Sequence, residues 1–363
     1  MGTLQVQGSP SYYACELNIL DNLEELLLRY RFKSGVVLHG EKSWAVTEPY
    51  FPKFKEIPLL FERYNGECSE NEIQRLTEKY INKGFDFIVG IGGGKVIDLA
   101  KAVAFEINKD VILIPTLAST CAAWTPLSVI YNDYGEYVKY TIFPRNNLMV
   151  LVEPRILLNS PTNYLKAGIG DTLAKLYESV ALTKHIESPR LPIQLALKTA
   201  EVIQEVLLKY SQRALFDLDR SFLSDELLKV FETIIVAGGL VGGLGDEYGR
   251  IAAAHSIHNA LTKFTETHSL LHGEKVAYGI LAQLSLENKF DEIERLIPFF
   301  KNLDLPYSLN IIGLDVHREE VLNTLAKATL SPGESIHFMK GSFSEEDIIG
   351  AIVNLENFIQ QIN

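Results

Sequence analysis

Cysteine is scarce in this sequence, and its scarcity excludes one way of stabilising a fold. The 363 residues contain three cysteines, Cys15, Cys68 and Cys121, and no CxxC pair. An odd number of scattered thiols does not form the disulfide framework on which small secreted domains depend. We therefore expect a reducing environment and predict a cytoplasmic protein.

Positive charge is also in deficit. Lysine and arginine number 34 against 46 aspartates and glutamates, which gives a formal net charge of −12. Nucleic acids and anionic membranes bind basic surfaces, so this balance argues against both as partners. No apolar run approaches the roughly 18 uncharged residues of a membrane helix, and residues 1–20 lack the pattern of an export signal. The expected partner is a small molecule.

The length and the apolar pattern indicate two domains. Strand candidates, with helical stretches between them, lie at 35–40, 85–94, 111–116, 127–132 and 147–152. This alternation predicts a parallel sheet covered on both faces. From Ser160 and Pro161, a good helix N-cap and first helical residue, the apolar spacing is almost wholly helical. We predict an α/β dinucleotide-binding domain over 1–155 and an all-α domain over 156–363.

A glycine-rich turn follows the second strand candidate. Residues 85–101, FDFIVGIGGGKVIDLAK, are typical of a buried strand, a turn and a helix start. Gly92, Gly93 and Gly94 let the backbone approach phosphate groups, and the helix N-terminus favours an anion. Lys95 interrupts the GxGxxG spacing of the common dinucleotide fold, so a tight turn without a ligand remains the alternative.

Two further features bear on nucleotide binding. The polar segment 115–120, PTLAST, follows the next strand candidate, at the same edge of a parallel sheet. Glu41, just after the first strand candidate, could accept hydrogen bonds from ribose hydroxyls and repel a 2′-phosphate, which favours NAD over NADP. An ordinary surface acid is the alternative for Glu41. Asp98 and Lys101 share a face of the helix after the glycine turn, where a solvated ion pair is the expectation.

Histidines are few but clustered. Four of the eight lie between residues 255 and 272: His255, His258, His268 and His272. Imidazole and carboxylate groups are the usual ligands of catalytic Zn²⁺ and Fe²⁺. Asp171 in GIGDTLAK is a candidate carboxylate ligand. The residues alone do not choose which pair of histidines would bind the metal.

Taken in order, these motifs resemble the iron-containing alcohol dehydrogenase superfamily, and within it the glycerol dehydrogenases. GGGKVIDLAK, PTLAST, LSVIY, AAAHSIHN and HGEKVAYG fall into register over nearly the whole chain. The resemblance implies a dehydroquinate synthase-like fold, a homo-oligomer, and one divalent metal, Zn²⁺ or Fe²⁺, on Asp171, His255 and His272. His258 would then lie near the substrate and nicotinamide. In addition to Glu41, which was inferred above from its position, the residues that the resemblance implies for NAD binding, with NADP possible, are Gly92, Gly93, Gly94, Lys95, Asp98, Thr116, Ser119, Thr125, Leu127 and Tyr131.

The implied reaction is hydride transfer between NAD(P)(H) and a small hydroxy compound, with the metal as Lewis acid. Glycerol dehydrogenases carry an aspartate where this chain has Cys121, and a neutral residue where it has Lys175. Lys175 follows Asp171 by four residues and so shares its helical face. The run CAAWTPLS, with the bulky Trp124 expected in the pocket, resembles the hydroxycarboxylate dehydrogenase branch.

We therefore predict His258, Cys121 and Lys175 as catalytic residues acting on a 2-oxo acid such as 2-oxobutanoate or 2-oxoglutarate. Glycerol or another small diol is the alternative substrate, and a non-redox lyase or synthase of the dehydroquinate synthase type is a more distant one. Members of the hydroxycarboxylate branch favour NADPH, whereas the charge of Glu41 favours NAD. The choice of cofactor stays open, with NAD ahead.

Overall fold

The chain, described here by a computed structural model over residues 4–362, forms two compact units. The α/β unit comprises Gln7–Pro161 and Asp217–Leu240. The helical unit comprises the described residues before Gln7, then Thr162–Phe216, and those from Val241 onward. This division differs from a single cut at residue 155, because Asp217–Leu240 continues the helical periodicity and no pattern in the sequence assigns it to the α/β unit.

Eight strands lie in the α/β unit. They are β1 (Tyr12–Cys15), β2 (Gly35–His39), β3 (Leu59–Arg63), β4 (Phe87–Gly92), β5 (Asp110–Pro115), β6 (Leu127–Tyr131), β7 (Tyr137–Ile142) and β8 (Met149–Val152). Six of them form a parallel sheet in the order β1-β8-β5-β4-β2-β3. Every residue of β4 and β8 is buried, as the continuous apolar runs of a parallel sheet require.

The five strand candidates match strands to within two residues at each end, which is inside the usual uncertainty of strand ends. One of them, β6, is not part of the parallel sheet: it pairs antiparallel with β7 in a separate two-stranded sheet. Strands β1, β3 and β7 were not among the candidates. Most of β3 and β7 is exposed, so neither carries the buried apolar run that marks a strand in the sequence.

α-Helices make up most of the remaining regular structure, with short 3₁₀ helices at Ile19–Asn22, Glu48–Tyr50, Asp246–Gly249, Thr265–Thr267 and Ser335–Phe338. In chain order the α-helices are α1 (Leu23–Arg29), α2 (Glu41–Thr47), α3 (Glu70–Tyr80), α4 (Gly94–Glu106), α5 (Pro154–Leu157), α6 (Thr162–Thr183), α7 (Leu191–Asp219), α8 (Asp225–Glu232), α9 (Gly238–Gly245), α10 (Ala253–Leu261), α11 (His272–Leu286), α12 (Phe290–Asn302), α13 (Leu309–Ile312), α14 (Glu319–Thr329) and α15 (Glu345–Ile362). A π-helical turn, Thr233–Ala237, joins α8 to α9. Helix α6 begins one residue after the predicted Pro161, within the usual uncertainty of helix ends.

The run Asp225–Gly249 is long and apolar enough, by length and composition alone, to cross a membrane. It contains Glu232, whose carboxylate accepts a hydrogen bond from the Tyr13 hydroxyl at 2.8 Å. Of its apolar window, 56% is buried inside the protein. A core helix passes the same test, so the run is weak support for a membrane span.

Candidate metal and cofactor sites

Helices α6 and α11 touch backbone to backbone beside two of the candidate metal ligands. A Cβ atom on Gly273 would lie 1.8 Å from the carbonyl oxygen of Ala167, and one on Gly170 would lie 2.5 Å from the carbonyl oxygen of Gly273. Only glycine permits so close an approach. Asp171 and His272 are the chain neighbours of these two glycines, so the contact that joins the helices also brings the two side chains together.

Helices α10 and α11 meet in the same way. A Cβ atom on Gly279 would lie 2.2 Å from the carbonyl oxygen of Ala254. His255 follows Ala254 directly, on the short helix that the three alanines at 252–254 allow to pack closely. The sequence motifs around the candidate ligands are therefore also the contact points of the three helices.

The three predicted metal ligands converge in the helical unit. One ligating atom each from Asp171, His255 and His272 lies within 4.8 Å of the other two. The Nε2 atoms of His255 and His272 lie 3.3 and 3.4 Å from Asp171 Oδ1. Ligand atoms about 2.0–2.2 Å from a tetrahedral ion are roughly 3.3–3.6 Å apart, so these separations fit a divalent metal. His268 is exposed and does not belong to the group.

Glu178, which the motifs did not single out, orients His255. Its fully buried carboxylate lies 2.9 and 3.0 Å from His255 Nδ1 and accepts the backbone N–H groups of Ala252 and His255 at 2.7 and 3.1 Å. Such a carboxylate fixes the imidazole tautomer and makes the other nitrogen a better metal ligand. Glu178 follows Asp171 by seven residues, or two helical turns, so both carboxylates lie on one face of α6. A row of charged residues along a mostly apolar helix was the pattern in the sequence that could have pointed to Glu178.

The charges of this cluster favour a bound cation. Burial lowers the pKa of His255, but the carboxylates of Glu178 and Asp171 outweigh burial and raise that pKa to about 9. Burial also raises the pKa of Asp171, yet hydrogen bonds to His255 and His272 hold it well below its ordinary value. With Glu178 holding the Nδ1 proton, a neutral His255 turns a lone pair towards Asp171 at Nε2. A proton or a metal ion between His255 Nε2 and Asp171 Oδ1 removes the repulsion between the nitrogen lone pair and the carboxylate oxygen.

His258 lies beside this group without belonging to it. Its ring centroid is 4.2 Å from that of His272. Its Nδ1 lies 2.9 Å from Asn259 Oδ1, and Asn259 Nδ2 donates to Glu334 at 3.0 Å. Because Asn259 Oδ1 only accepts, Nδ1 carries the proton and Nε2 is the free atom. Burial and then the charge of His272 hold the pKa of His258 well below its usual range, so the ring is neutral near pH 7.

Lys175 is buried on the face of α6 that carries Asp171 and Glu178. Its Nζ donates to the Arg250 carbonyl oxygen at 3.4 Å, and its charge contributes to the lowered pKa of Asp171. The position four residues after Asp171 therefore places an ammonium group within electrostatic reach of the candidate metal ligands.

The glycine turn of the α/β unit is closely packed at Gly92 and Gly93 and open at Gly94. A Cβ atom on Gly92 would lie 2.6 Å from Val96 Cβ, and one on Gly93 would lie 2.9 Å from Leu117 Cδ1. Around Gly94 the nearest neighbour is Thr120 Oγ1 at 3.8 Å. Among residues 4–362, no side chain caps α4 at Gly93, so the first amides of α4 are available to an anion. The turn fits a pyrophosphate.

The other predicted cofactor residues lie on the first turn of α4, in the loop after β5, and on β6 of the separate two-stranded sheet. Thr116 is buried, and its backbone N–H donates to the Gly92 carbonyl oxygen at 3.0 Å. Lys95 forms an ion pair with Glu67, and its Nζ lies 5.8 Å from the ring centroid of Tyr131. Half-buried positions in the loop after β5 and on β6 belong to Ser119, Thr125, Leu127 and Tyr131.

Asp98 and Lys101 are not a solvated pair, contrary to expectation. Both are buried, and Lys101 Nζ lies 2.8 Å from Asp98 Oδ1. Asp98 Oδ2 accepts the backbone N–H of Val129 at 3.0 Å. Burial raises the pKa of Asp98 against the lowering effect of Lys101. The expectation was wrong because helical spacing tells which residues share a face and not how deeply that face is buried.

Glu41 lies at the start of α2, directly after β2, and its side chain is 72% exposed. Its carboxylate forms an ion pair of 2.6 Å with Arg63, the last residue of β3. Arg63 was not predicted to lie here, because β3 was not among the strand candidates. A positive and a negative side chain thus stand together at the carboxyl ends of two neighbouring strands.

Cys121 is half-buried in the loop after β5, whereas Trp124 does not line an open pocket as expected. The Trp124 indole N–H donates to the Gly8 carbonyl oxygen at 2.8 Å, and its ring packs edge-on against Tyr13 at 5.3 Å between centroids. A Cβ atom on Gly239 would lie 2.5 Å from this indole. Trp124 belongs to the core of the α/β unit, since an apolar ring with one satisfied donor is stable when buried.

Comparison with known proteins identifies relatives over the whole length. A family model described as iron-containing alcohol dehydrogenase matches residues 10–154. Hydroxycarboxylate dehydrogenase A of Escherichia coli K12 is 38% identical over 361 residues, 98% of each chain. The glycerol dehydrogenase of Thermotoga maritima is 37% identical over 349 residues, 94% of each chain.

A solved structure shares the fold. The crystal structure of a probable glycerol dehydrogenase from Sinorhizobium meliloti 1021 superposes with a TM-score of 0.86 at 29% identity, over 99% of this chain and 100% of the other. Proteins of this family bind NAD(P) and a metal and act on small molecules. The chain belongs to the iron-containing alcohol dehydrogenase family and is an oxidoreductase of the alcohol dehydrogenase type.

Proposed function

We propose that this protein uses NAD(H) or NADP(H) and one divalent metal to interconvert small 2-oxo acids and 2-hydroxy acids. The observation that carries the proposal is Lys175, a buried ammonium group on the same face of α6 as the predicted ligand Asp171. A 2-oxo acid carries a carboxylate beside its reacting carbonyl, and a neutral polyol does not.

The charges around Lys175 support an anionic substrate. Asp171 and Glu178 bring two negative charges, Lys175 brings one positive charge, and His258 is neutral. With neutral histidine ligands, a divalent ion would leave the cluster with one net positive charge. In a buried site an unbalanced charge is unfavourable, so a substrate carboxylate would be stabilised there.

The relatives support the reaction class and divide over the substrate. One that is 38% identical is a hydroxycarboxylate dehydrogenase, and one that is 37% identical is a glycerol dehydrogenase. Cys121 favours a 2-oxo acid over glycerol, because the resemblance places an aspartate of the glycerol dehydrogenases at that position. Glycerol or another small diol is the second candidate.

The chain's own residues have distinct parts in the proposed mechanism. When bound, the metal supplies Lewis-acid polarisation and the nicotinamide supplies or accepts the hydride. Asp171, His255 and His272 would hold the metal, and Glu178 keeps His255 Nε2 free to do so. His258 would take up the substrate hydroxyl proton at Nε2, since Asn259 engages Nδ1, and would release it to solvent after oxidation or return it to the substrate in reduction. Lys175 would orient the substrate through its carboxylate.

For the nucleotide, the first turn of α4 would bind the pyrophosphate and Glu41 the adenosine ribose. The ion pair with Arg63 weakens the argument that Glu41 excludes NADP, because a 2′-phosphate would meet a cation as well as an anion. We propose NAD as the preferred cofactor, with NADP also accepted. Zn²⁺ and Fe²⁺ suit the His₂Asp set alike. A homo-oligomer in the cytoplasm stays a prediction.

Lys175→Met tests the substrate class. An ammonium–carboxylate contact contributes about 1.5–3 kcal/mol, so kcat/KM for 2-oxobutanoate should fall at least about tenfold while that for a neutral ketone such as hydroxyacetone is kept. Lys166→Met is the control, because Lys166 lies on the same helix and pairs with Asp304 away from the cluster. An equal loss on both substrates would mean that Lys175 supports the metal site and does not recognise a carboxylate.

A further inference from the structure

The segment from Cys121 to Leu127 links the loop after β5 to β6 without forming a strand or an α-helix up to Pro126. It nevertheless has a partner for each of its seven backbone carbonyl groups. The Cys121 carbonyl accepts from the amides of Trp124 and Thr125, and the Pro126 carbonyl accepts from the amide of Phe143. The other five carbonyls accept from two side chains, those of Lys101 and Asn147.

Lys101 makes three of the six side-chain contacts to the carbonyl groups of this segment. Its ammonium donates to the carbonyl oxygens of Ala122 at 2.7 Å and Thr125 at 3.1 Å, and also to that of Leu127. The fourth oxygen around Nζ is Asp98 Oδ1 at 2.8 Å. An ammonium has three protons, so three contacts can be hydrogen bonds to the segment and the carboxylate contact balances the charge.

Asn147 completes the attachment from another side. Its Nδ2 lies 3.0 Å from the carbonyl oxygen of Ala123 and 3.4 Å from those of Trp124 and Thr125. Both Lys101 and Asn147 are 2% exposed. Burying an ammonium group costs several kcal/mol unless its partners are well arranged, and a short connection would not need one merely to pass between two strands.

We infer that Lys101 is a positioning residue whose ammonium is a tethered cation in a cage of four oxygen atoms, and that this cage fixes the segment carrying Cys121 and Thr125. The inference rests on the proposed function in taking these two residues as part of the substrate and nicotinamide pocket. An oxygen cage of this composition suits a free monovalent ammonium ion as well as a tethered one.

Removing the tether gives the test. Lys101→Ala deletes a group equal in size and charge to propylammonium, so the variant should lose activity and regain it when propylammonium chloride is added. Displacement of pocket residues by about 1 Å can cost a hundredfold, and we expect kcat/KM for NADH with 2-oxobutanoate to fall roughly tenfold to a hundredfold. Propylammonium should restore most of this loss in a saturable way, and tetramethylammonium at equal ionic strength should not.

Two control variants separate the cage from general effects. Lys101→Met fills the same space without charge, so it should be as inactive as Lys101→Ala and should not respond to propylammonium. Lys198→Ala removes a lysine with the same three-residue spacing to its carboxylate partner, Glu201, on the surface, and should keep full activity. Rescue of Lys101→Met would indicate a salt effect and would overturn the inference.

A readout that does not depend on the substrate keeps this inference distinct from the proposed function. In a Trp44→Phe background, Trp124 is the remaining tryptophan and lies inside the segment. Its emission should shift in Lys101→Ala and return with propylammonium, whichever alcohol or carbonyl compound the enzyme uses. If Lys101→Ala does not fold, Lys101→Gln keeps two N–H donors and should show the same loss and emission shift. Wild-type activity and emission in either variant would overturn the inference.

Discussion

Each unit of this protein buries a carboxylate among polar partners, and the two clusters are neutralised differently. In the α/β unit, Asp98 has its cation from the chain itself, since Lys101 lies 2.8 Å away on the same helix. In the helical unit, Asp171 and Glu178 outnumber the single lysine on their face of α6. The first cluster is complete as it folds, and the second has room for one more positive charge.

This difference separates two uses of buried charge. A carboxylate whose counterion is permanently attached serves to hold a segment in place, as Asp98 and Lys101 hold the segment before β6. A cluster of carboxylates and histidine nitrogens that lacks a full counterion is suited to binding one that comes from solution.

Loss of a proposed ligand should have the largest effect. His255→Ala removes a nitrogen that would hold the metal, and activity should fall by about a thousandfold or more, since Lewis-acid stabilisation of several kcal/mol is lost. Elemental analysis of the purified, folded variant should find little metal. His268→Ala, a neighbouring exposed histidine, should keep both. Stoichiometric metal in His255→Ala would contradict the ligand assignment.

Loss of the carboxylate that orients His255 should weaken metal binding less than loss of a ligand does. Glu178→Gln keeps an acceptor for His255 Nδ1 but removes its charge, so metal affinity should fall about 10–100-fold. Competition with a metal-binding dye measures this affinity. Glu356→Gln is the matched control, because Glu356 is buried in the same unit and accepts from Tyr278 and Leu309. Equal affinities of the two variants would show that Glu178 does not tune the site.

The helix contact that brings Asp171 to His272 can be disturbed without touching a ligand. Gly273→Ala places a Cβ atom 1.8 Å from a backbone oxygen, and helix α11 must shift. We expect a loss of about 1–3 kcal/mol in the free energy of unfolding, with weaker metal binding. Gly350→Ala in α15 has open space and should gain up to about 1 kcal/mol. Urea unfolding compares the two, and unaltered stability of Gly273→Ala would mean that the helices adjust freely.

The smallest effect is expected where the charges are exposed. Glu41→Gln releases Arg63 and removes a charge that repels a 2′-phosphate, so the ratio of kcat/KM for NADPH over NADH should rise. Both side chains are largely in water, where an ion pair contributes about 0–1 kcal/mol, so the rise should be at most about fivefold. Glu25→Gln, from the equally exposed pair with Arg29, should leave the ratio unchanged. A similar ratio in both variants would place the ribose elsewhere.

The sequence predicted the fold class and named three candidate metal ligands that lie close together in the helical unit. Asp171, His255 and His272 were found because their motifs resemble those of a known family, and the structure brings them together. Glu178 was missed because a glutamate two turns from a ligand looks like any other helical charge. Its role depends on the packing of α10 against α6, which no local pattern records.

How deeply each side chain is buried was the main property that the sequence did not reveal. Asp98 and Lys101 were expected in solvent and are buried, and Trp124 was expected in a pocket and lies in the core. Strands β3 and β7 were missed for the opposite reason, because most of each strand is exposed and neither carries the long buried apolar run that marks a strand in the sequence. Periodicity gives the direction in which a side chain points, while burial depends on what the rest of the chain places over it.

The division of the α/β unit into two stretches of chain affects the order in which the protein can fold during synthesis. Tyr13 and Trp124 find partners in Glu232 and Gly239, which the ribosome adds only after all of α6 and α7. Domains usually fold as units from the N-terminus onward. Here the first unit must wait, unfinished, while much of the second emerges. A fragment that stops near Pro161 would leave the aromatic face around Tyr13 and Trp124 uncovered and prone to aggregation.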